Sequence, residues 1–192
     1  MNKELTPAGE ESHPVQDASN VIGENAPKET AREGGPTHGT PKISGRVCIT
    51  YGRDQIMNRQ VVSLIRAMAI DPIVMQDKHN SAKPLAQFVS ENKDIAFVIA
   101  ILSADDWAYA KNSKPQNAML YASPRVVFHL GYWIGKLGRS RVFALYYDQR
   151  SFRWPTEHFD VIYTPLDKND SWKKELAQRL KDCHIEIPGE IR

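Results

Sequence analysis

The sequence predicts an α/β protein built on a doubly wound parallel sheet, and three observations carry that prediction. From Arg46 onward, short apolar runs alternate with segments of helical periodicity. One of these runs, Ile95 to Leu102, is apolar without interruption, as expected of a strand buried on both faces. Strands joined through helices run parallel, and right-handed crossovers place the helices on both sides of the sheet.

The elements follow in order. Arg46 to Tyr51 is a short apolar strand. Asp54 to Ile70 is an amphipathic helix, with Asp54 as its cap and Ile56, Val61, Leu64, Ile65 and Met68 facing inward. Pro72 to Gln76 is a second strand, and Lys83 to Asn92 a short helix carrying Leu85, Phe88 and Val89. After the Ile95–Leu102 strand comes a polar insertion, then a helix from Ser123 to Gly138. Ser123 suits the N-cap, Pro124 the first helical position, and Gly138 a left-handed C-terminal cap. Val126, Val127, Leu130, Trp133, Ile134 and Leu137 form its apolar stripe, with His129 on the flank. Arg141 to Tyr147 is a fourth strand and Val161 to Tyr163 a fifth, at an edge. Ser171 to Cys183 is the last helix, with Trp172, Leu176 and Leu180 inward. Five strands wound this way imply a flavodoxin-like sheet over residues 45–192. Residues 1–44 are rich in Pro, Gly, Glu, Thr, Asn and Ser and nearly devoid of large apolar residues, so a disordered tail is expected there, a bland leader or a tether.

Composition narrows the function. A net charge of +2 over 192 residues gives no footprint for nucleic acid. Cys48 and Cys183 are too few for a disulfide framework and have no partners at metal-ligand spacing, so no metal site is expected. No apolar run is long enough to span a bilayer, and the polar N-terminus does not resemble a secretory signal. A reduced, cytoplasmic setting without membrane contact is the expectation.

In a doubly wound sheet the ligand site lies beyond the carboxyl ends of the strands, where the strand order reverses. That rule selects Tyr51-Gly52-Arg53-Asp54, the segment Gln76 to Lys83, Ser103-Ala104-Asp105-Asp106-Trp107, and Asp148 to Trp154. Gly52 permits close backbone approach, Arg53 can clamp a phosphate, and the next helix N-terminus favours an anion. The same turn also serves as an ordinary strand-to-helix connection. Asp105 and Asp106 offer paired carboxylates for a metal, or caps for the following turn. Trp107, Tyr109, Tyr132 and Trp133 could stack on a base, although Trp133 falls on the apolar stripe. Lys136, Arg139 and Arg141 form a phosphate patch or merely complement a helix C-terminus. His79 and His158 sit in polar loops. His129 is a general base near neutrality, or a histidine in a site that has lost its chemistry.

Tyr51-Gly-Arg-Asp54, Leu102-Ser-Ala-Asp-Asp106 and Phe128-His-Leu-Gly-Tyr-Trp-Ile-Gly-Lys-Leu-Gly-Arg139 together resemble the bacterial TIR-like domains of CBASS and Pycsar antiphage effectors. The resemblance covers roughly residues 45–185. It implies a TIR-like fold that takes NAD+ as substrate rather than cofactor and cleaves it between nicotinamide and ribose. It also implies self-association, or pairing with a partner TIR or sensor protein. On this resemblance His129 takes the catalytic position, and Tyr51, Gly52, Arg53, Asp54, Asp105, Asp106, Arg125 and Tyr132 are the substrate contacts. Three departures concern the chemistry. The family has Phe-Glu-Leu-Gly where this chain has Phe128-His129-Leu130-Gly131. Its Arg-x-Arg-Gln-Asn is here Tyr121-Ala122-Ser123-Pro124-Arg125, and its Pro-Ser-Asp survives as Pro155-Thr156-Glu157. Glycosidic cleavage develops positive charge on the ribose, which a carboxylate stabilises and an imidazole does not. Loss of one such partner costs about 10²–10³ in rate. Asp77, Asp105, Asp106 and Glu157 are the acids that could replace it.

Overall fold

The structure, a computed structural model, describes residues 45–77, 80–147, 149–155 and 161–188. The expected tail and the expectations attached to His79, Asp148, Glu157 and His158 lie outside the described residues.

The chain runs β1 (Arg46–Tyr51), α1 (Gln55–Ala67), β2 (Ile73–Val74), α2 (Leu85–Glu91), β3 (Ile95–Leu102), β4 (Asp106–Ala108), β5 (Met119–Tyr121), α3 (Pro124–Leu137), β6 (Val142–Tyr146), β7 (Phe152–Arg153), β8 (Tyr163–Pro165) and α4 (Ser171–Asp182). Five strands form one sheet in the order β2-β1-β3-β6-β8, parallel at every step. This is the doubly wound architecture the alternation predicts, with the order reversing between β1 and β3.

Side-chain alternation divides the core in two. Val47, Ile49, Phe97, Ile99, Ile101, Phe143 and Leu145 pack beneath α1 and α4, against Val61, Ile65, Trp172 and Leu176. Cys48, Val98, Ala100, Leu102 and Ala144 face the other way, beneath α2 and α3, against Phe88, Val126, Leu130 and Trp133. β3 is buried at all eight positions because both layers cover it. The parity of β1 has a functional consequence. Thr50 shares the face of Cys48 and so points toward α3.

The polar insertion is more ordered than its composition suggests. β4 pairs antiparallel with β5 and β5 parallel with β7, giving a second, three-stranded sheet. These strands are two or three residues long, too short for alternation to mark them. Ile56, expected inward, is 62% exposed. It is the second residue of α1, and the buried ridge runs instead through Met57, Val61, Ile65 and Met68. The cap itself is as expected: the Asp54 carboxylate accepts from the backbone N–H groups of Ile56 at 2.8 Å and Met57 at 3.0 Å.

Helix α3 begins differently from expectation. The Ser123 side chain makes no capping hydrogen bond. Its backbone N–H instead donates to Asp105 Oδ2 at 3.2 Å, so the carboxylate at this helix start comes from the β3 side. Gly138 ends the helix at φ +81°, which only glycine adopts cheaply, though its ψ of 154° is extended rather than helical. Cys48 is fully buried, and that burial pushes its thiol pKa up, which keeps it protonated and inert.

Candidate functional site

Two clusters occupy the carboxyl end of the sheet. The first lies at the switch point between β1 and β3, and Asp105 is its centre. Asp105 Oδ1 accepts from Ser103 Oγ at 2.6 Å and from the Arg53 N–H at 3.1 Å, while Oδ2 accepts from the Ser123 N–H. One carboxylate thus joins the β1–α1 turn, the end of β3 and the start of α3. It lies so close to Gly52 that a Cβ there would sit 1.8 Å from Asp105 Oδ2 and 2.7 Å from Ser103 Oγ. Gly52 is therefore required for close approach, but the group approaching is the protein's own carboxylate. Arg53 pairs with Asp106 at 2.8 Å and also donates to the Asp105 carbonyl at 3.3 Å. Asp105 and Asp106 serve here as ties between segments distant in sequence. Asp54 is committed to the α1 cap. Tyr51 is buried, with its hydroxyl beside the Gln55 amide.

The second cluster surrounds His129. This residue is 9% exposed, and its Nδ1 lies 2.9 Å from Thr50 Oγ1. Three further bonds surround that contact. Gln76 Oε1 accepts from the Tyr51 N–H at 3.2 Å, and Gln76 Nε2 donates to the Tyr51 carbonyl at 2.9 Å. The side-chain amide thereby continues the ladder of β1 where β2 ends, and the fixed polarity of the backbone leaves it only one orientation. The same Nε2 donates to Thr50 Oγ1 at 3.0 Å. The Thr50 hydroxyl, already accepting, is placed to give its own proton to His129 Nδ1. In that arrangement the imidazole carries its remaining proton on Nε2.

Burial, and secondarily the positive charge of Arg125, push the His129 pKa down to about 4. At neutral pH the ring is uncharged, well below the near-neutral value expected of a general base. In the tautomer in which Thr50 donates to Nδ1, the ring presents an Nε2 donor and no free lone pair.

His129 and Arg125 help to line a cavity of about 80 Å³, closed on the other side by Met75, Gln76, Asn80, Ser81, Lys83, Leu85 and Phe88. The structure brings these two sequence-predicted residues together here. Tyr51, Gly52, Arg53, Asp54, Asp105, Asp106 and Tyr132 are not among its lining residues. Tyr132 packs edge-on against Trp133 at 5.3 Å and joins the core beneath α3. Arg141 donates to the backbone carbonyls of Ala96 at 3.1 Å and Cys183 at 3.4 Å, which accounts for it without a phosphate. Sequence reasoning passed over Thr50. The available signal was a lone hydroxyl in the apolar run Val47-Cys-Ile-Thr-Tyr51, one residue before the loop. A larger cavity of about 630 Å³ lies between α1 and α4, lined by Leu64, Leu166 and Trp172 among others, and holds none of the candidate residues.

No three His, Cys, Asp or Glu side chains converge on a common metal position among the described residues. No described helix is long and apolar enough to cross a membrane.

The five-stranded parallel sheet, its helices on both faces and the turn glycine at its switch point make a TIR-like α/β domain. The family described as "CAP12/Pycsar effector protein, TIR domain" matches residues 46–168, and the chain belongs to that antiphage effector family. Among curated proteins it is 28% identical over 139 residues to the uncharacterized protein YuaY of Escherichia coli K12, covering 72% of this chain and 45% of that protein. It is 33% identical over 103 residues to protein tirC of Dictyostelium discoideum, covering 52% of this chain and 51% of that protein. The chain thus spans about half the length of the curated relatives it matches. A solved E. coli constitutive lysine decarboxylase aligns over 72% of this chain and 17% of that one at 12% identity, with a TM-score of 0.40.

Proposed function

We propose that this domain is a nucleotide-binding TIR module, related to NAD+ nucleosidases of antiphage defence, in which cleavage of NAD+ to nicotinamide and ADP-ribose is greatly weakened or lost. One observation carries the reading. Where glycosidic cleavage needs a carboxylate beside the ribose, the cavity presents a neutral imidazole, and no described lining residue is acidic.

The acids that could replace the family glutamate are otherwise engaged. Asp105 holds three segments together, Asp106 pairs with Arg53, and Asp77 accepts from the Asn80 N–H at 2.9 Å. Glu157 lies outside the described residues. Hydrolysis of another nucleoside with His129 as base is disfavoured, because the ring offers the cavity a proton rather than a lone pair. What remains is recognition: a cytoplasmic module that binds NAD+ or a related nucleotide and assembles with its own copies or with a partner TIR or sensor protein.

The test is incubation of the purified protein with NAD+ and chromatographic measurement of nicotinamide, with an active family member alongside. Turnover at least about 100-fold below that control is expected, from the loss of one preorganised charge. His129→Glu alone should recover little of it, because the segment Tyr121 to Arg125 differs as well. Turnover by the natural chain equal to the control would refute the proposal.

A further inference from the structure

We propose that the cavity between the β2–α2 segment and α3 is an anion pocket that takes the terminal phosphate of a nucleotide, held by Arg125, Lys83 and the Nε2–H of His129. This rests on the reading of the cleft as a nucleotide site, and it names the group that the site selects.

The polar wall of the cavity is made of donors. Arg125, Lys83 and the His129 Nε2–H contribute hydrogens, and Asn80 and Ser81 add amide and hydroxyl groups, while both Gln76 amide hydrogens are taken by Tyr51 and Thr50; no carboxylate is among the described lining residues. Lys83 is held in place by Glu91 at 2.6 Å, whereas the Arg125 guanidinium makes no hydrogen bond or ion pair with any described residue.

The position of Arg125 argues the same way. It is the second residue of α3, where the helix dipole is positive and a cation is unfavourable. A buried neutral histidine lies one turn further along the helix, and the same arginine holds down its pKa. Nothing among the described residues balances this arrangement, and a bound anion would. About 80 Å³ is room for a few water molecules, hence for one phosphate group and not for a whole dinucleotide. A pocket of that size favours a terminal phosphomonoester over the bridging pyrophosphate of NAD+. It also rejects the cationic nicotinamide–ribose end.

Calorimetric titration of the full chain at low salt tests this, with adenosine 5′-monophosphate, inorganic phosphate, NAD+ and nicotinamide riboside as probes. Adenosine monophosphate should bind most tightly, phosphate more weakly, and nicotinamide riboside not at all. Arg125→Ala should weaken adenosine monophosphate by about 10-fold or more, the scale of a lost charge-assisted contact. Arg125 is exposed, so its urea unfolding midpoint should stay unchanged. His129→Glu should abolish binding by placing an anion in the pocket. Equal affinity for phosphate and adenosine monophosphate assigns the pocket to free phosphate and overturns the nucleotide part. Adenosine monophosphate binding that ignores Arg125→Ala overturns the pocket. NAD+ binding without monophosphate binding also overturns it, while leaving the proposed function standing. Binding of none of the four overturns both.

Discussion

Lowering the pH from 7 to 5 should destabilise the domain by about 2 kcal/mol through His129 alone. The ordinary histidine pKa, near 6.5, applies to the unfolded chain, and burial beside Arg125 holds the folded value down to about 4. Above pH 6.5 both states are neutral and the residue has no effect. Between 6.5 and 4 the unfolded chain takes up a proton that the folded chain refuses, so stability falls by at most about 1.4 kcal/mol per pH unit. Below 4 both states are protonated and the cost levels off at about 3 kcal/mol. Asp94, hydrogen-bonded and paired with Arg46 at 2.5 Å, and Asp167, hydrogen-bonded to Ser171, have carboxyls held below their usual range. Their stabilisation is lost at still lower pH, which separates the two windows. Urea unfolding at pH 7, 6 and 5 measures the slope, and His129→Asn is the control. The Asn Oδ1 can still accept from Thr50 but does not titrate. A natural chain and variant that lose stability in parallel between pH 7 and 5 would refute the reasoning. So would an imidazole NMR titration midpoint near 6.5.

Two further substitutions test the geometry. Thr50→Val preserves shape but leaves His129 Nδ1 and one Gln76 N–H without their buried partner, and should cost about 1–3 kcal/mol in urea unfolding. Imidazole nitrogen shifts in that variant should move from one tautomer toward a mixture, and an unchanged spectrum would remove Thr50 from its positioning role. Gly52→Ala drives a methyl group into the Asp105 carboxylate and should cost about 2–4 kcal/mol as the bonds to Ser123, Ser103 and Arg53 are lost. Since Gly52 has no positive φ, a near-neutral result would mean that the turn relaxes rather than clashes.

Much of the fold was legible in the sequence, because periodicity reports local burial directly. The continuous apolar run Ile95–Leu102 could only be a strand covered on both faces, and the structure places it at the centre of the sheet. Asp54 was legible as a cap because capping acts over three residues. Ile56 was not, since one apolar residue at the start of a helix lies on either side of the stripe according to a small rotation. β4, β5 and β7 were not legible either, because they are held by pairing across sequence rather than by their own pattern.

The site divides along the same line. The sequence by itself determined the five-stranded α/β order, the residues at its carboxyl edge, and the histidine standing where a carboxylate is expected. Only the tertiary structure decided what those residues do. Asp105 closes the switch point because three segments distant in sequence converge on its two oxygens. Backbone groups of β1 orient Gln76, Gln76 bonds to Thr50, and Thr50 meets Nδ1 of His129 from across 79 residues of chain. A histidine held by a chain of hydrogen bonds has no local signature, because each link is supplied by a different element, and they meet only when the sheet and α3 pack together.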